Sequence, residues 1–140
     1  MALTQRLRIL PIILASALVL TPARAQTPAL VGSWKGTSTC VDPANHPNCH
    51  NEQVIYDATL RPGSKDSVNI RGYRFVNGEK DFMGEFDFIQ VRDSSWVAEL
   101  ATPRFHLRVV LRITGSSIKG SLTDLADNRR VRDIVLERVP

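Results

Sequence analysis

Four side chains of types that bind metal ions lie close together in the chain: Cys40, His46, Cys49 and His50. Thiolate and imidazole are ligands that zinc prefers, so this group could form a zinc site. Its spacing, however, matches none of the common zinc patterns. Thiols of an exported protein tend to oxidise, and only a short loop separates Cys40 from Cys49. We therefore predict a Cys40–Cys49 disulfide, no metal site and no cofactor.

Acid–base or nucleophilic catalysis needs a reacting group and partners that orient it. His106 is predicted to face outward from a strand, and the sequence places no such partner beside it. Glu85 and Asp87 are two positions apart, so both point to the same, solvent-facing side of a strand. We therefore predict no catalytic residues and no enzyme activity. The serines without a nucleophile-elbow context include Ser33, Ser94 and Ser95.

The aromatic side chains carry the stronger functional signal. Several share the apolar face of an alternating segment, with small residues such as Gly84 and Ala98 between them. Such a set can simply fill a core, or it can form the wall of an apolar pocket, and the sequence leaves both interpretations open. The predicted ligand-binding residues are Tyr56, Phe82, Phe86, Phe88, Trp96 and Phe105.

Strands must position these side chains, because apolar and polar residues alternate along most of the chain. No segment beyond residue 25 has a convincing helical period, and turn-forming residues such as Pro62-Gly63 and Asn77-Gly78 separate the alternating segments. The apolar parity changes across Gly72, which predicts a β-bulge there. The predicted strands are 30–39, 52–60, 67–76, 80–91, 96–100, 105–113, 118–122 and 130–138.

Eight short strands with a turn between nearly every pair predict an all-β fold. An open meander would leave two edge strands unpaired, and closure into a barrel removes both edges. We therefore predict an antiparallel up-and-down eight-stranded β-barrel. A two-sheet β-sandwich fits the same strand count and is the alternative.

Residues 1–25 have the features of a signal peptide: Arg6 and Arg8, then a short apolar run, then the small-residue motif Ala23-Arg24-Ala25. Cleavage there would leave residues 26–140 as a single domain in the periplasm or outside the cell. The full chain has 18 Lys and Arg against 14 Asp and Glu; loss of three arginines and no acid leaves 15 against 14. A net charge of +1 gives no reason to expect a nucleic-acid partner or an anionic membrane surface.

The first predicted strand contains Gly32-Ser33-Trp34 followed by Lys35-Gly36. This G-x-W motif resembles that of the calycins, the lipocalins and their smaller barrel relatives. The resemblance implies that Trp34 closes one end of the barrel and that an arginine of the last strand stacks on it by a cation–π contact. Arg132 is the predicted partner, with Arg130 second. The chain is also similar to uncharacterised exported bacterial lipocalin-like proteins.

These observations predict a binding module, most simply a monomer, for a small hydrophobic molecule. Two alternatives stay open. One is a protein-binding module, similar to a small periplasmic metalloprotease inhibitor whose N-terminal arm, here residues 26–30, enters the protease. The other is a structural envelope protein with a filled core.

Overall fold

The computed structural model describes residues 27–140, which form eight strands joined by turns and loops. Each predicted strand is present, with ends that differ from the prediction by at most two residues. The strands are β1 (Gly32–Cys40), β2 (Glu52–Leu60), β3 (Ser67–Val76), β4 (Glu79–Arg92), β5 (Ser95–Ala101), β6 (His106–Thr114), β7 (Ser117–Asp124) and β8 (Arg129–Arg138).

The strands close into one barrel, which confirms the predicted up-and-down topology and excludes the sandwich. Each strand pairs antiparallel with the next one in the chain, and β1 also pairs with β8. The short turns enforce this order. Between β3 and β4, Asn77 and Gly78 have φ values of 53° and 81°, as a type I′ hairpin turn requires.

The β3–β4 pair has a register shift at the level of Gly72, where the bulge was predicted, but the extra residue lies on β4 and not on β3. Gly72 pairs with Gly84 and Tyr73 pairs with Phe82, so Met83 is the extra residue on β4. One extra residue reverses which side chains face inward, because strand side chains alternate. Phe82 therefore lies outside the barrel and is 50% exposed. The prediction that it faces inward is wrong, since it assumed one unbroken alternation along β4.

Pairing between β4 and β5 is limited to the ends of these strands. Ile89, Gln90 and Arg92 have partners on β5, whereas the described register gives residues 79–88 partners on β3 alone. The two strands diverge in that part of the barrel wall. The three β4 residues that border the cavity described below, Met83, Phe86 and Phe88, lie in the diverging segment.

One end of the barrel, here named the closed end, holds the ends of the even-numbered strands and residues 27–31. Trp34 is fully buried there, and its Nε1 donates a hydrogen bond to the Leu30 carbonyl oxygen at 2.8 Å. Leu30 is itself fully buried. The start of the chain is thus packed into the core, and Trp34 has the closing position that the calycin resemblance implies.

Arg138, not Arg132, stacks on Trp34. Its guanidinium carbon lies 4.1 Å from the centre of the indole ring. The prediction of Arg132 is wrong because of the β1–β8 register: Trp34 pairs with Arg138, whereas Arg132 pairs with Cys40 at the opposite end of both strands. Arg138 also donates hydrogen bonds to the carbonyl oxygens of Val31 and Ala29, so it fixes the chain start as well as the ring.

Two glycines of β1 permit this packing. Gly32 has φ +130°, which side-chain-bearing residues rarely adopt, and a Cβ at this position would overlap the Arg138 guanidinium. At Gly36 a Cβ would overlap the carbonyl oxygen of Val135 on β8. Both positions therefore require glycine.

Candidate functional site

The opposite end of the barrel, here named the open end, contains an internal cavity of about 140 Å³. Strand β1 and the strands on both sides of it contribute polar groups, and apolar side chains form the rest of the wall. This space is called the inner cavity. Its apolar wall includes Ile70, Phe86, Phe88, Leu107, Val109 and Ile134.

A cluster of polar side chains forms one wall of the inner cavity. Arg132 Nη1 donates to the Ser38 hydroxyl at 3.0 Å and lies 3.3 Å from a carboxylate oxygen of Glu52. The β1–β2 register pairs Ser38 directly with Glu52, and the β1–β8 register brings Arg132 beside them. Three neighbouring strands thus place a carboxylate, a guanidinium and a hydroxyl group in one cluster.

The cluster continues away from the cavity through Arg74 of β3. Arg74 lies 3.2 Å from Glu52 and 2.9 Å from Asp81 of β4. The hydrogen bonds that Arg74 donates to Asp81 and to Glu52 raise the pKa of Arg74 above its ordinary value. Glu52 is therefore held between two guanidinium groups, with a side chain only 16% exposed.

Tyr56 presents the remaining polar group of the wall. Burial raises the pKa of Tyr56 to about 12; nearby Arg132 opposes this shift and Glu52 adds to it. The phenol is therefore fully protonated at neutral pH and can donate a hydrogen bond. Among residues 27–140, the side-chain hydrogen bonds around the cavity do not use this hydroxyl.

A second, wider space of about 580 Å³ lies outside the first and is called the mouth cavity. The β1–β2 loop borders it with residues 45–49. Phe105, just before β6, and Asp124, the last residue of β7, also border it. Leu107, Leu122 and Arg132 line both cavities, so the two lie next to each other.

Cys40 and Cys49 form a disulfide that spans this loop, as predicted. The bond removes both thiols from the zinc set considered above. Within residues 27–140, no group of three or more His, Cys, Asp and Glu side chains is arranged to hold a metal ion. His46 instead faces the mouth cavity, where its Nε2 is buried and has no hydrogen-bond partner among the described residues.

The six aromatic residues predicted to bind ligand separate into four groups. Tyr56, Phe86 and Phe88 line the inner cavity, and Phe105 borders the mouth cavity while 40% exposed. The prediction that Trp96 borders the pocket is not supported, because Trp96 is fully buried in the core beside Leu111 of β6. Phe82 packs on the outer surface against Tyr73, with ring centres 5.5 Å apart.

Sequence reasoning missed the polar wall. Glu52 and Ser38 alternate with outward residues in their strands, and nothing in their types distinguishes them from solvated side chains. Met83 was also missed, because the bulge was predicted on β3 and its extra residue lies on β4. Arg132 was singled out, but as a partner for Trp34 instead of a cavity residue.

The residues considered for catalysis have ordinary partners. His106 Nε2 lies 3.4 Å from Glu99 on the outer surface, and hydrogen bonds from Arg108 and His106 lower the pKa of Glu99. Glu85 pairs with Arg71 at 3.1 Å. The other contacts are Asp87 with Arg61, Ser33 with Asp57 and, for Ser95, burial in the barrel wall.

The part of the chain that the structure covers, residues 27–140, has no helix long and apolar enough to cross a membrane.

No protein-family model matches the chain, and no curated protein is significantly similar to it in sequence. Solved structures do resemble it. A redesigned β-barrel superposes with a TM-score of 0.59 at 16% identity, covering 79% of this chain and 92% of that one. A second redesigned barrel, bound to DFHBI, gives 0.57 at 18% identity, covering 81% and 97%.

A natural protein is also similar in fold. Fatty-acid-binding protein 1 of Echinococcus granulosus superposes with a TM-score of 0.54 at 11% identity, covering 80% of this chain and 98% of that one. Identities this low establish the fold alone. The chain is a closed antiparallel eight-stranded barrel, similar in fold to the fatty-acid-binding and calycin barrels.

Proposed function

We propose that this protein is an exported, non-enzymatic binding module that holds one small hydrophobic molecule in the inner cavity. The observation that carries the proposal is an internal space with an apolar wall and a single polar cluster beside it. Small-molecule sites in proteins commonly combine these two features. The fold neighbours include proteins named for fatty-acid binding, which is consistent with this use of the barrel.

The volume limits the ligand. Drug-sized molecules occupy pockets of about 300–1,000 Å³, whereas the inner cavity has about 140 Å³. An apolar cavity of about 150 Å³ holds benzene. The ligand is therefore a single ring or a short chain, and any longer molecule would extend into the mouth cavity.

Export is part of the proposal. Residues 1–25, where the signal peptide is predicted, lie outside the described residues. The Cys40–Cys49 disulfide supports export, because such bonds persist mainly in oxidising compartments. The G-x-W motif around Trp34 and the predicted leader together favour a relationship to exported bacterial lipocalin-like proteins. Expression with the leader, followed by intact-mass measurement, should give a chain that begins at Gln26 and carries the disulfide.

The described geometry gives less support to a protease-inhibitor role. From Thr27 onward the N-terminal arm does not project from the barrel: Val31 N–H donates to the Pro28 carbonyl oxygen, and Leu30 is buried beneath Trp34. An arm held in this way would have to leave the core before it could enter a protease.

Native mass spectrometry of protein purified from the periplasm tests the proposal. We expect a retained small-molecule mass, or a mass shift after exposure to a lipid extract. Val109→Phe adds a ring inside the inner cavity and should abolish retention. Val135→Phe makes the same change on the outer surface, where Val135 is 46% exposed, and should preserve it.

Ligand-free spectra for the wild type before and after exposure to extract would contradict small-molecule binding and favour the filled-core structural role. Equal retention by both valine variants would place the ligand outside the inner cavity.

A further inference from the structure

The charges beside the inner cavity cancel one another. Two guanidinium groups, Arg132 and Arg74, face two carboxylates, Glu52 and Asp81. Glu52 and Arg132 are the charged residues that line the cavity itself, and they form a pair. We propose, building on the function proposed above, that the inner cavity selects an uncharged, ring-sized molecule with one hydrogen-bonding group and rejects the corresponding carboxylate.

The first step is the pairing of Arg132. Its side chain is 17% exposed and Glu52 is 16% exposed, so water screens this pair weakly. The same Nη1 atom also contacts the hydroxyl and carbonyl oxygens of Ser38, at 3.0 and 3.3 Å. The positive charge on this wall is therefore already compensated by a carboxylate and by two dipoles.

A carboxylate ligand would add a second negative charge next to Glu52. No further cation lines the inner cavity among the described residues. Arg74, the nearest other guanidinium of the cluster, is already shared between Glu52 and Asp81. Like charges held close together in a poorly solvated site repel strongly. The ligand anion would also lose its hydration on entry, so both effects oppose binding.

An uncharged polar group on the ligand avoids both the repulsion by Glu52 and the loss of an anion's hydration. Tyr56 lines the cavity, and its protonated hydroxyl can donate to a carbonyl or hydroxyl oxygen of a ligand. The rest of the wall is apolar and suits an aromatic ring. Groups that could introduce other charge, His46 and Asp124, border the mouth cavity instead.

Three ligands of similar size test the binding function and the charge selectivity separately: toluene, benzamide and benzoate. Toluene reports whether a ring enters the cavity at all, which is the proposed function. Benzamide and benzoate have the same shape and differ by one charge at about pH 7, where a carboxylic acid is ionised. Binding is followed by NMR titration of methyl groups that line the cavity, such as those of Val109 and Ile134.

We expect wild-type protein to bind toluene, and to bind benzamide at least about tenfold more tightly than benzoate, because juxtaposed like charges oppose association. Glu52→Gln leaves Arg132 uncompensated and should shift the benzamide-to-benzoate preference at least about tenfold toward benzoate. Glu85→Gln is the matched control: it makes the same change on the outer surface, where Glu85 pairs with Arg71, and should leave the preference unchanged.

Each other result has a definite meaning. If toluene binds and benzoate binds as tightly as benzamide, the charge selectivity is wrong and the binding function stands. If toluene binds and neither polar ligand does, the inferred polar contact is wrong. If toluene does not bind, the proposed function itself fails. The wild-type comparison decides among these even if Glu52→Gln does not fold.

Discussion

The two ends of the barrel differ in how their interiors are filled, although each contains an arginine of β8. At the closed end a tryptophan fills the interior, and Arg138 binds its ring and the backbone beside it. At the open end the arginine six positions earlier on the same strand, Arg132, borders a cavity and pairs with Glu52. One arginine packs at the closed end and the other forms part of the cavity wall.

Dense packing and the cavity thus lie at opposite ends of the strands. The closed end buries large apolar side chains, which stabilises the fold by removing them from water. The open end keeps a cavity and a partly buried ion pair, neither of which is an efficient source of stability. Substitutions at the two ends should therefore change different measured properties.

Trp34→Ala should have the largest effect. Removing a fully buried tryptophan should lower the free energy of unfolding by about 3–5 kcal/mol, measured by urea denaturation. Phe82→Ala is the control: Phe82 is half exposed on the outer surface and should cost less than about 1 kcal/mol. Similar losses for both variants would remove the distinction between the closed end and the barrel exterior.

The disulfide should have the next largest effect, this time from the open end. Replacing Cys40 and Cys49 together with serine should lower the free energy of unfolding by about 2–3 kcal/mol, because the unfolded chain regains loop freedom. A reducing agent should produce the same loss in wild type and none in the double variant. An unchanged midpoint in reduced wild type would show that the open end does not depend on this bond.

A double-mutant cycle sharpens the contrast between the two arginines. Trp34→Leu and Arg138→Met should be coupled by about 0.5–2 kcal/mol, the usual range for a cation–π contact. Trp34→Leu and Arg132→Met should be additive within about 0.5 kcal/mol, because Arg132 lies at the other end of β8. Coupling in the second cycle instead of the first would return Arg132 to the closing role.

Tyr56→Phe should have the smallest effect on the free energy of unfolding at neutral pH. The pKa of Tyr56, about 12, reflects burial at the open end. The unfolded phenol ionises near pH 10, so this stabilising contribution is complete below about pH 10 and is lost as the pH rises toward 12. The free energy of unfolding, measured between about pH 9 and 11, should fall more steeply with pH for wild type than for Tyr56→Phe. Parallel curves would place Tyr56 in solvent.

Local chemistry predicted most of the framework. Asn77-Gly78 determined a hairpin whose φ values only glycine and a few polar residues adopt readily, and the pattern around Gly72 located the level of the bulge although not its strand. These features depend on residues that are neighbours in the chain.

The candidate site was predicted in part. Tyr56, Phe86 and Phe88 do face the cavity, but Phe82 was assigned inward because the bulge was counted on β3 and not carried across to β4. Trp96 faces inward as the alternation requires, yet it lies in the filled part of the core. Alternation gives the face of a side chain, and it does not give the level of the barrel at which that face meets a cavity.

The sequence by itself determined the strands, their turns, their order and the tryptophan that closes the barrel. Only the tertiary structure decided which arginine meets Trp34, and it brought Ser38, Glu52 and Arg132 together from three strands. The physical reason is the register between β1 and β8, whose members are about a hundred positions apart in the chain. A shift along that pair would change which residue of β8 lies opposite Trp34, and this pair has no short connecting turn to fix its register.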